Sequence, residues 1–127
     1  MTINNFEQLI VWQLARDLRL KISIEIKGFP DVEKYRLIDQ LTRSSRSITA
    51  NISEGFGRFH YQENIQFCRL ARGSINETLD HLICAFDEGF ISAERLLDFK
   101  NEINNCIKTL NGYILYLTKA KSGPASK

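Results

Sequence analysis

A chain of 127 residues with 43% hydrophobic and 25% charged side chains suits one globular domain able to bury a substantial core. A formal net charge of +2 excludes both the strongly basic class that coats nucleic acid by composition alone and the acidic, poorly hydrophobic class that stays disordered. The N-terminus has no basic region leading into a long apolar run, and apolar stretches such as Leu9–Trp12 are far too short to span a bilayer, so a cytoplasmic, membrane-free protein is expected.

Four segments carry helical periodicity. In the first, 6–27, Ile10, Val11, Leu14, Ala15, Leu18, Ile22 and Ile26 fall on one arc at 100° per residue, the pattern of a core-facing helix. Phe6, Leu9, Leu20 and Ile24 form a second, thinner apolar stripe, either ordinary surface scatter or a contact with another subunit. Gly28-Phe29-Pro30 breaks the segment. The second segment, 31–55, sets Ile38, Leu41, Ser45, Ile48 and Ile52 inward and Arg36, Arg43, Ser47 and Glu54 outward. Its serines 44, 45 and 47 allow a neighbouring helix to approach closely. Gly55-Phe56-Gly57 ends it, with a left-handed glycine cap expected there.

The third segment, 61–88, is broadly apolar from Ile65 to Phe86, with Arg72 projecting inside its apolar arc. Gly89 stops it, and Ser92 is placed to cap the next helix. The fourth, 93–119, carries Leu96, Phe99, Ile103, Cys106, Ile107, Leu110, Ile114 and Leu117 on one stripe. Residues 122–127 read as a short disordered tail after a single domain over 1–121. No segment alternates with period two, so the expected fold is all-α: an antiparallel up-down-up-down four-helix bundle. Cys68, Cys84 and Cys106 are odd in number and lack paired metal spacing, which predicts reduced, packed thiols.

The modest net charge conceals an asymmetry. Residues 34–72 carry seven Lys/Arg against three acids, and residues 74–102 carry two against seven. Arg36, Arg43, Arg46 and Arg58 are the candidate nucleic-acid contacts, through phosphates. The same charges also suit pairing with the acidic stretch of a neighbouring subunit. Arg72, costly to bury unpaired, is expected to meet a carboxylate, with Glu54 the leading partner. Glu77, His81, Cys84 and Glu88 share one side of the third segment. A di-metal bundle would need Glu-x-x-His from two helices, and Thr78 stands at that spacing before His81. No metal, cofactor or catalytic set is identified, and a non-enzyme is expected.

The runs Gln40-Leu41-Thr42-Arg43, Asn51-Ile52-Ser53-Glu54-Gly55-Phe56-Gly57-Arg58 and Arg72-Gly73-Ser74-Ile75-Asn76-Glu77 resemble the bacterial four-helix bundle proteins encoded within 23S rRNA intervening sequences. The accessory variability determinant of diversity-generating retroelements is a relative of that family. The resemblance covers Phe6 to about Leu117 and implies an antiparallel bundle assembled as a ring, a homopentamer being the favoured form. It also implies that Asn51, Glu54, Gly55, Gly57, Arg58, Gly73, Ser74 and Glu77 define the fold. Thr49, Ser53 and His60 depart from the family's usual proline, alanine and Ser/Thr cap. Two functions remain in competition: an oligomeric RNA- or DNA-binding bundle, and a scaffold that binds another protein.

Overall fold

The computed structural model describes residues 2–122. Four helices make up most of them: α1 (Ile10–Glu25), α2 (Leu37–Phe56), α3 (Tyr61–Asp87) and α4 (Ala93–Ser122). Short 3-10 turns at Phe6–Gln8, Ile26–Gly28 and Asp31–Glu33 complete the order, and the described residues include no strand. α1 packs between α2 and α4, and α3 closes the square from the opposite corner, the arrangement of an up-down bundle.

One apolar stripe per helix builds the core. Val11, Ala15, Leu18 and Ile22 meet Leu41, Ile48 and Ile52, then Ile65, Cys68, Ala71, Ile75 and Leu82, then Phe99, Ile103, Cys106 and Leu110. Ile10 departs from its expected place in the core arc. It is the first residue of α1 and is 62% exposed. Leu9 moves the other way. As the extended residue before the helix, it turns inward and is buried, leaving Leu20 and Ile24 as the exposed part of the second stripe.

The connections differ from expectation where local geometry overrides periodicity. Residues 31–36 form a 3-10 segment and a hydrogen-bonded turn, and α2 starts only at Leu37, whose N–H donates to Glu33 Oε2 (3.2 Å). The expected left-handed glycine after α2 is not there. Gly55 lies inside the helix, and Gly57 closes it at φ −75°. Among the described residues only Gly89 has a positive φ, +81°, and it supplies the turn from α3 to α4. Ser92 caps α4 as expected, its Oγ accepting from the Arg95 N–H (3.1 Å). His60 precedes α3 without a side-chain cap. Ser122 is the last residue of α4 and not the first of a tail, and 123–127 lie outside the described residues.

Candidate nucleic-acid interface

The buried stripe Leu37, Leu41, Ile48 and Ile52 fixes how α2 is rotated, and so which of its side chains face outward. Arg43 and Arg46 are exposed on the side away from that stripe, and Arg36 is exposed at the helix N-terminus. From Arg36 to Arg46 is about 15 Å along the axis at ~1.5 Å per residue. Arg43 has one carboxylate near it, Asp39 at 3.7 Å, an exposed pair worth a few tenths of a kcal/mol. Arg36 and Arg46 form no ion pair among the described residues. Arg58 is different. It lies at the far end of α2, paired with Glu54 (3.2 Å) and Glu63 (3.5 Å) and stacked over Phe67 (4.8 Å). The structure thus groups Arg36, Arg43 and Arg46 and assigns Arg58 to local ion pairs.

Sequence reasoning missed Arg19. A groove of about 590 Å³ runs along the seam between α1 and α2, lined by Phe6, Trp12, Arg19, Leu20, Ser23, Arg46, Thr49, Ala50 and Ser53. Arg19 Nη1 donates to Thr49 Oγ1 (2.9 Å), and the Thr49 hydroxyl donates to the Arg46 carbonyl (3.2 Å). Arg16 lies over the Trp12 ring at 5.9 Å, and Phe6 meets it edge-on at 5.1 Å. The available signal was helical spacing: Trp12, Arg19 and Ser23 project to one flank of α1, beside the core arc.

The remaining motif residues knit α2 to α3. Asn51 Nδ2 donates to the Ser47 carbonyl (2.9 Å) and to Ser47 Oγ (3.0 Å), and Ser74 Oγ donates to the same Ser47 Oγ (2.9 Å). The hydroxyls of Ser44 and Thr78 are hydrogen-bonded at 2.9 Å within the core. At Gly55 the helices touch. A Cβ there would stand 2.7 Å from Asn64 Oδ1 and 2.8 Å from Phe67 Cβ, so the position requires glycine for close approach. Gly73 has no such neighbour, since a Cβ on it would meet nothing within 4 Å.

The expected Arg72–Glu54 pair does not form. Arg72 Nη1 donates to Asn111 Oδ1 of α4 (2.8 Å), and Glu54 is taken by Arg58. The reason is register: Ser47 stands opposite Ser74 and Gly55 opposite Asn64, which sets Arg72 near the level of residue 49. That is about 7 Å along the axis from Glu54. Glu77 faces His81 (3.3 Å), and no three His, Cys, Asp or Glu among the described residues are grouped to hold a metal ion.

The cysteines divide in two. Burial pushes the Cys68 thiol up to about 12 against an opposing pull from Arg72, and pushes Cys106 up to about 11. Both are packed thiols, not nucleophiles. Cys84 is exposed, contrary to expectation, because it projects to the outer side of α3. Its thiol is also raised, by partial desolvation first and then by Asp80, Asp87 and Glu88.

None of the curated proteins matches this chain. A solved structure from Bacteroides thetaiotaomicron, a protein of unknown function from the S23 ribosomal protein family, superposes with a TM-score of 0.76 at 24% identity. The match covers 83% of this chain and 98% of that one, and at this identity it is a likeness of fold. The sequence model of the 23S rRNA-intervening sequence proteins matches residues 7–112, taking in α1, α2, α3 and most of α4. On that match over the body of the bundle, the chain belongs to the 23S rRNA-intervening sequence protein family.

Proposed function

We propose that this chain is a non-catalytic, self-associating bundle that binds the phosphates of nucleic acid along α2. One observation carries the reading: Arg36, Arg43 and Arg46 are exposed along α2 with only Asp39 in ion-pair range of any of them among the described residues. Several cations elsewhere are neutralised, whereas among the described residues Arg72 meets only the neutral Asn111. Arg95 bonds Glu25 and Asp98, Lys21 bonds Glu102, and Arg58 bonds Glu54 and Glu63. Exposed guanidiniums in a row, sharing one carboxylate among the described residues, suit a phosphate backbone, and repetition in an assembly turns a modest charge per chain into a strong field. Ile24, 68% exposed on the outer side of α1, supports self-association. No helix among the described residues is long and apolar enough to cross a membrane.

Fluorescence anisotropy with labelled RNA and duplex DNA at low salt tests the proposal. Replacing Arg36, Arg43 and Arg46 by Gln is expected to weaken binding at least tenfold, on the order of what three phosphate contacts supply. Unchanged affinity would reject the assignment. A second reading has its own observation. Glu77, Asp80, Asp87 and Glu88 are exposed on or just after α3, and a neighbour's α2 would complement them. If Arg43→Glu with Arg46→Glu dissolves the assembly of a protein that binds no nucleic acid, the scaffold reading holds instead.

A further inference from the structure

We infer that the groove between α1 and α2 is a subsite for one nucleotide of a single strand, its phosphate held by Arg19 and Arg46 and its base lodged beside Trp12. The inference rests on the nucleic-acid reading and adds to it a place and a strand preference.

The two seams of α1 are built differently. On the α4 side, Lys21 bonds Glu102 and Arg95 bonds Glu25, so cation and carboxylate face each other across the helices. On the α2 side, each helix contributes a guanidinium and neither contributes an acid. Arg19 and Arg46 together line the 590 Å³ groove and an adjoining cleft of about 60 Å³, and no Asp or Glu lines either. Arg19 commits one N–H to Thr49, which is almost fully buried and anchors it. Arg46 makes no side-chain hydrogen bond or ion pair among the described residues. Two like charges in one groove repel unless an anion joins them, and a phosphate matches the planar donor fork of each.

The rest of the lining selects what carries that phosphate. Trp12, Phe6 and Leu20 give an apolar end beside the arginines, and Ser23 and Ser53 add hydroxyls. The volume falls within the range of small-ligand pockets and gives room for one splayed nucleotide. Aromatic rings beside cations are the common means of holding unpaired bases.

Trp12 is the single tryptophan of the chain, so its emission reports on the groove directly. The probes are an unstructured single-stranded RNA of about 15 nucleotides, long enough to fill one site, the same RNA annealed to its complement, and inorganic phosphate. The single strand is expected to quench Trp12 at saturation and the duplex to leave it unchanged. Arg46→Gln removes no bond of the fold. Combined with Arg19→Gln, checked for unchanged helicity by circular dichroism, it should lower single-strand affinity about tenfold and abolish the strand preference. Arg36→Gln with Arg43→Gln should weaken both strands alike and preserve the quench. If RNA binds but Trp12 emission does not move, or the groove variant stays within about twofold of the parent, the subsite is refuted while the nucleic-acid reading stands. Equal quenching by inorganic phosphate at the same concentration refutes the single-strand assignment. Absence of any RNA binding at low salt overturns both.

Discussion

At Gly55 the backbone of α2 comes so near Asn64 and Phe67 that an added methyl has no room. Gly55→Ala is expected to destabilise the fold by about 1–3 kcal/mol, read as a lower urea midpoint at constant m-value. Gly73 gives the opposite expectation. It is exposed in the middle of α3 with open space around it, so Gly73→Ala should stabilise the isolated chain by about 0.5–1 kcal/mol. A loss of stability there would place Gly73 against a partner. The buried thiols set an alkaline limit. Their folded values, raised from 9.0 to about 12 at Cys68 and about 11 at Cys106, mean that the unfolded chain loses these protons first. Stability is then complete below about pH 9 and declines as pH rises through 9–12, and partly buried Tyr113, raised from 10.0 to about 12, adds to the fall. Urea midpoints at pH 8 and at pH 10.5, inside that window, should therefore differ, the higher pH being less stable. Equal midpoints would mean that the thiols are not buried.

The two longest helices, α3 and α4, begin differently, and each start is testable. Ser92 caps α4, so Ser92→Ala should cost about 1 kcal/mol, whereas His60 leaves α3 uncapped and His60→Ser should add stability of similar size. Thermal melts of the two variants should shift in opposite directions. Element existence was legible because four apolar stripes of period 3.6 can be read without knowing their neighbours. Boundaries were less so. The 31–36 stretch looked helical, but Glu33 caps a helix starting at Leu37, and Gly55 looked like a stop when its role is close approach. The Arg72–Glu54 expectation failed because a helical projection gives an angle and no axial register. That register is set by Ser47–Ser74 and Ser44–Thr78 contacts, which sequence does not rank. Arg19 escaped notice for a related reason: alone it is an ordinary flank residue, and it acquires meaning only when α2 brings Arg46 to the same groove.

Over the whole molecule, charge is sorted by seam as well as by sequence. The α1–α4 seam is closed by ion pairs, the α2–α3 seam by hydroxyls and glycine, and the α1–α2 seam is left with unpaired arginines. Of the candidate set read from sequence, Arg36, Arg43 and Arg46 lie exposed along α2, while Arg58 lies at the end of the bundle in local ion pairs. A stable bundle does not require guanidiniums without carboxylates, and the arrangement is explained if a polyanion supplies the missing charge. The direct measurement is the dissociation constant for a single-stranded RNA as a function of salt. The account predicts a linear fall of log affinity with log salt, and a slope about one to two units shallower when Arg43 and Arg46 are replaced by Gln. An affinity indifferent to salt, or the same slope in parent and variant, would contradict it.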